Sequence, residues 1–162
     1  MRQSMTKPGN DAELRRHLVE LLEGGSAHIT FADAVRDFPV ERAGVRPEGS
    51  PHSAWELLEH LRIAQADIVR FSLGKDYVEP KWPEDYWPSS PAPKDDAEWG
   101  DSVEAVKQDL ARFLAMLSNE SRSLLEPFAW GEGQTLLREA LLIADHNAYH
   151  LGQLMLVRRM LG

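Results

Sequence analysis

The stretch Thr135-Leu-Leu-Arg-Glu-Ala-Leu-Leu-Ile-Ala-Asp-His146-Asn-Ala-Tyr-His150-Leu-Gly-Gln-Leu-Met-Leu-Val-Arg-Arg-Met-Leu161 decides how this chain folds. It has no proline. At 100° per residue, Ile143, His146, His150, Leu154, Val157 and Leu161 fall on one face. The pattern predicts one helix over 135–161, the longest in the chain. Arg158 and Arg159 close it, where the helix dipole favours cations. Gly152 lies inside it and costs about 1 kcal/mol relative to alanine, which predicts a close approach by a neighbouring helix.

Working outward, Ser53 followed by Glu56 forms a capping box directly after Pro51 and His52. Leu57, Leu61, Ala64, Ile68 and Phe71 then hold one face until Gly74, so a helix is expected over 53–74. Val103, Val106, Leu110, Phe113, Leu114 and Leu117 make the seam of another, expected to begin at Asp101 or Ser102. Near the N-terminus, Leu14, Leu18, Leu21 and Leu22 mark a helix ended by Gly24 and Gly25. A short helical piece follows: Thr30 and Asp33 cap it, Phe31, Ala34, Val35 and Phe38 face inward, and Pro39 stops it. Residues 1–10 read as a loose leader, and 11–162 as a single domain.

Between the second and third long helices, residues 76–93 carry five prolines together with Tyr77, Trp82, Tyr86 and Trp87. The prolines forbid regular helix or central strand, and the aromatics are too apolar for a free linker. The segment is expected to pack on the helices. Trp82 or Trp87 either lies at the mouth of a pocket or simply covers the outer surface. With no alternating segment in the chain, the fold class is all-α.

The chain has 162 residues, and Lys+Arg 18 against Asp+Glu 26 give a formal net charge of −8. This acidic balance argues against nucleic-acid partners, whose phosphates require clustered Lys and Arg. No apolar run reaches the ~20 residues of a membrane span, and no signal-peptide core follows Met1. Cysteine is absent, which excludes disulfides, thiolate metal sites and a cysteine nucleophile, and suits a cytoplasmic protein.

Chemistry then rests on six histidines. His146 and His150, spaced i, i+4, lie on the buried face of the last helix one turn apart, able to reach the same ion. His60 borders the apolar stripe of the helix over 53–74. Three neutral imidazoles with an open fourth position suit a divalent ion, whereas hydrogen-bonded core histidines would explain the same pattern. His17 reads as a partly exposed helix residue and His28 as a loop residue. His52 precedes His60 by about 12 Å of helical rise, so only an irregular helix start would bring it to the ion.

The motifs that are missing narrow the reaction. Asn147 follows His146, so this is not the H-E-x-x-H metalloprotease pattern. The duplicated Glu-x-x-His pairs of di-iron bundles, the G-x-S-x-G elbow, the P-loop and the G-x-G-x-x-G fingerprint are absent as well. Gln153 is placed to meet a bound water or substrate, or else to bond a neighbouring element. Glu56, Glu59 and Asp145 are candidates to orient a ligating imidazole, or else solvated carboxylates.

The blocks Ser53-Ala-Trp-Glu-Leu-Leu-Glu-His60-Leu and Gly133-Gln-Thr-Leu-Leu-Arg-Glu-Ala-Leu-Leu-Ile-Ala-Asp-His146-Asn-Ala-Tyr-His150-Leu-Gly-Gln153 resemble the two signature helices of the DinB/YfiT-like superfamily. The resemblance runs over about residues 14–161. It implies a four-helix bundle with a long crossover between helices two and three. It also implies one divalent ion, commonly nickel or zinc, held by His60, His146 and His150. Characterised relatives transfer or isomerise low-molecular-weight thiol conjugates, such as those of bacillithiol or mycothiol, and others are described as metal-dependent hydrolases. Members are often homodimers. The implied function is a thiol S-transferase acting on a small molecule through a metal-bound thiol or water, with Glu56, Asp145 and Gln153 as outer partners. The alternatives are a metal-dependent hydrolase and a non-catalytic metal-binding stress-response protein. An open coordination position favours an enzyme, and a saturated four-ligand site favours a structural clasp.

Overall fold

The computed structural model describes residues 8–74 and 76–162. The elements are α1 (Pro8–Glu23), α2 (Phe31–Val35), a 3-10 turn (Val40–Arg42), α3 (Ala54–Leu73), a second 3-10 turn (Glu84–Tyr86), α4 (Asp96–Ser118) and α5 (Leu136–Leu161). No strand occurs among the described residues, where Pro127 and Thr135 form an isolated bridge. The chain is all-α. No described helix is long and apolar enough to cross a membrane.

Local signals account for most helix ends. Ser53 caps α3 through the Glu56 N–H, and the Glu56 carboxylate takes the Ser53 N–H at 2.8 Å, completing the capping box. Thr30 caps α2 and Thr135 caps α5, each by accepting the N–H three residues on. Three boundaries differ from the sequence expectation. Helix α2 ends at Val35, before Pro39, because Arg36 is already extended and Asp37 turns the chain at a positive φ of 51°. Helix α1 starts at Pro8, inside the expected leader, since a proline's fixed φ suits a first helical turn; residues 1–7 lie outside the described residues. Helix α4 starts at Asp96, five residues before Asp101, because Asp95 caps it by accepting the Glu98 N–H at 2.9 Å.

Helix α3 packs against α4 and α5, and α1 packs against the same two. Arg15, buried on α1, donates to the carbonyls of Leu117 at 2.6 Å and Arg122 at 2.5 Å, fastening α1 to the end of α4. The apolar interior divides in two along the helices. One cluster joins Phe38, Trp55, Leu58, Trp99, Leu151 and Leu154; the other joins Ile68, Phe113, Leu117, Leu136 and Ile143. On α3 the gap between them contains His60, and on α5 it contains His146 and His150. The histidines thus occupy a polar layer flanked by apolar packing at both ends.

Gly152 departs from its expected role. A Cβ built there meets nothing within 4 Å, and the residue is exposed. Among the described residues, no other helix approaches it.

Candidate metal centre

Helix α3 delivers His60, which is 2% exposed, and α5 delivers His146 and His150 one turn apart. One ligand nitrogen from each lies within 4.8 Å of the others, and no Asp or Glu joins the group among the described residues. Nε2 of His146 is 3.1 Å from Nε2 of His60.

Hydrogen bonds on the far side of two rings determine which nitrogen faces inward. His60 Nδ1 donates to the Tyr86 carbonyl at 2.8 Å, and His150 Nδ1 donates to the Gln153 amide oxygen at 2.7 Å. A carbonyl can only accept, so a neutral His60 keeps its lone pair on Nε2. Two Nε2 atoms at 3.1 Å need a proton or a cation between them. Nitrogens about 2.0–2.1 Å from one zinc-like ion, at 90–109° to each other, are separated by about 2.8–3.4 Å. The observed spacing fits a shared ion. His146 Nδ1 is buried without a hydrogen-bond partner among the described residues.

The electrostatics keep these rings neutral. Burial lowers the pKa of all three. His146 is pushed down further by His60, and His150 reaches about 4 through burial and then the charges of His146 and His60. Neutral imidazole is the form that ligates a metal.

The outer partners are neutral too, and only one was legible in advance. Gln153 orients His150 rather than standing free to meet a bound water. Glu56 caps α3 and pairs with Arg46, Glu59 pairs with Arg62 and accepts from Ser102, and Asp145 is exposed. None of these carboxylates hydrogen-bonds a site histidine. The Tyr86 carbonyl was not foreseeable, since every residue type offers one.

Trp87 supplies an aromatic wall. Its ring stacks on His60 at 4.0 Å with planes 4° apart, and on His52 at 4.2 Å. Both distances place His52 much closer to His60 than straight helical rise predicts, because Ser53 is extended and Pro51 and His52 form a bend, so the helix does not reach back to His52. His52 still stays outside the ligand group. Trp82 is 70% exposed and touches the edge of Tyr86, away from the histidines. His17 lies exposed between Glu13 and Glu20, and His28 lies exposed with Nδ1 near its neighbour's carbonyl. Beside the site, a cavity of about 200 Å³ is lined by His52, Leu57, Gln153, Leu156 and Met160.

Comparison with curated proteins and with solved structures returns no match. A sequence model of the DinB superfamily matches residues 27–154, a span that includes α3, the segment between α3 and α4, and all three clustered histidines. With that match over most of its length, and three imidazoles brought together from α3 and α5, the chain belongs to the DinB superfamily.

Proposed function

We propose that this protein is a metal-dependent enzyme that transfers a low-molecular-weight thiol to a small electrophile. His60, His146 and His150 hold one divalent ion, nickel or zinc. The observation that carries this reading is the meeting of three imidazoles, each with its pKa lowered by burial, with no carboxylate in the group among the described residues. Three protein ligands leave a coordination position open, which favours an enzyme over a structural clasp.

A divalent ion surrounded only by neutral ligands keeps its full charge and favours the anionic form of a thiol or of water at neutral pH. The chain's own residues do the rest. Tyr86 and Gln153 fix two ring orientations through their carbonyl oxygens. Trp87 covers the flat face of His60 and keeps water from it. The cavity beside His52 and Gln153 has apolar walls in Leu57, Leu156 and Met160, suited to the apolar part of a small electrophile.

The four long helices are read as a four-helix bundle, with the segment between α3 and α4 as its crossover. A homodimer, a cytoplasmic location and a small-molecule substrate, without nucleic acid or membrane, complete the proposal.

The test joins metal analysis of the purified protein to a panel of thiols assayed with a chromogenic electrophile. One equivalent of nickel or zinc is expected, together with thiol-dependent turnover that chelation removes and the metal restores. Metal-dependent ester or amide hydrolysis without thiol dependence would replace transfer by hydrolysis. Bound metal with neither activity would favour the clasp.

A further inference from the structure

The crossover contributes no member of the histidine cluster, yet it touches His60 twice through adjacent residues: the Tyr86 carbonyl at Nδ1 and the Trp87 ring on the face. What holds that dipeptide in place lies farther along α3. The Tyr86 hydroxyl donates to Asp67 Oδ2 at 2.6 Å. Asp67 is 7% exposed and follows His60 by seven residues, two helical turns, so both present themselves on one side of α3. Tyr86 therefore spans two turns of the helix, its side chain on Asp67 and its main chain on His60.

We propose that Asp67 and Tyr86 are positioning residues for the metal site. Their hydrogen bond sets where the Tyr86 carbonyl stands, and the carbonyl sets the tautomer and ring angle of His60. The proposal rests on the metal-site reading for its purpose, although the geometry of the ring can be measured without metal.

A chain of this kind has a physical reason. A backbone carbonyl on a proline-rich segment between two helices is held only by what anchors that segment, and a charged acceptor makes the stronger hydrogen bond. Burial and then the Asp67 carboxylate push the Tyr86 phenol up from its ordinary range, so it remains a donor throughout the neutral range. With the anchor removed, the carbonyl can leave Nδ1, and the neutral ring is free to move its proton to Nε2. That proton would occupy the nitrogen facing His146 and compete with any cation there.

The experiment uses the metal-free full-length protein, labelled with ¹⁵N, at pH 8, where the imidazoles are neutral. Two-bond ¹H–¹⁵N correlation spectra report the tautomer of His60, and zinc affinity is measured by competition with a chelating dye. Wild type is expected to show one tautomer, with the hydrogen on Nδ1. Tyr86→Phe is expected to show mixed tautomers and a zinc Kd about tenfold weaker, within the range for loss of an outer partner. Asp67→Ala should match it, and the double variant should be no worse than either single one. Tyr77→Phe, which removes the crossover's other phenol near Asp67, should leave both readings unchanged. A wild-type tautomer and affinity in Tyr86→Phe would overturn the proposal. So would an equal loss in Tyr77→Phe, which would mean that the crossover merely loosens. A tautomer shift in a protein that takes up no zinc would support the positioning role and sink the metal-site reading instead.

Discussion

Trp87 lies flat on His60, ring centroids 4.0 Å apart, while the carbonyl of the preceding residue accepts the His60 Nδ1 hydrogen. Residues far apart in sequence thus make one unit, in which α3 supplies the imidazole and the segment between α3 and α4 supplies its hydrogen-bond acceptor and its stacking partner. The same indole also stacks on His52 at 4.2 Å. A histidine that is no member of the cluster is thereby tied to one that is.

Metal content should separate the six histidines. His60→Ala, His146→Ala and His150→Ala are each expected to weaken zinc binding by more than about 100-fold, the upper end for losing an outer partner, because each removes one of the three nitrogens proposed to hold the ion. His17→Ala and His28→Ala should keep a full equivalent. His52→Ala should also keep it, since His52 stacks on Trp87 and lies outside the three-histidine group. An empty His52→Ala protein beside a full His60→Ala protein would reverse the ligand assignment.

The two tryptophans between α3 and α4 should behave differently. Trp82, 70% exposed, is expected to change stability by no more than about 0.5 kcal/mol as Trp82→Ala, with unchanged turnover. Trp87→Ala removes two stacking partners and should cost about 2 kcal/mol. It should also alter turnover of the folded fraction, because the face of His60 is opened to water. Urea unfolding and steady-state rates check both; lost stability with normal turnover would reduce Trp87 to a surface cover.

Stability of the metal-free protein should fall on acidification. Burial, with His146 and His60 close by, holds the pKa of His150 at about 4 in the folded protein against the ordinary 6.5 of a histidine, so the unfolded chain takes a proton first. Its contribution is complete above pH 6.5 and is lost as pH falls towards 4, about 3 kcal/mol in all at 1.36 kcal/mol per unit. His60 and His146 are lowered as well and act in the same direction. Urea midpoints at pH 7.5, 6 and 5 should decline, and His150→Gln should flatten the decline. An unchanged slope in that variant would mean that other groups control it.

Gly152→Ala should stabilise the protein by about 1 kcal/mol, as expected for an exposed helix interior where a Cβ meets nothing within 4 Å. The check is urea unfolding of wild type and variant at matched concentration. Destabilisation instead, growing with protein concentration, would place a second chain against that face of α5.

Much of the fold was legible because its signals are local. The Ser53/Glu56 capping box, the Thr30 cap and the apolar stripes of α3 and α5 each depend on residues within a few positions of one another, and the structure reproduces them. The start of α4 was missed for the converse reason. Asp95 and Glu98 follow a run of prolines, and no stripe precedes Val103 except Trp99, whose burial depends on a distant stack with Phe38 at 4.7 Å.

At the site the division is sharper. Sequence alone determined that His146 and His150 share a helical face and that His60 lies on the border of another, because helical periodicity converts spacing into direction. Only the tertiary structure decided that these faces meet with Nε2 atoms 3.1 Å apart. It also decided that a Tyr86 carbonyl and a Gln153 amide, rather than Glu56, Glu59 or Asp145, orient the rings. The physical reason is that a hydrogen bond is satisfied by whichever acceptor packing brings within about 3 Å. Glu56 is already engaged by the helix cap and Arg46, Glu59 by Arg62, and Asp145 is exposed to solvent, while the carbonyl that replaces them carries no mark in the sequence.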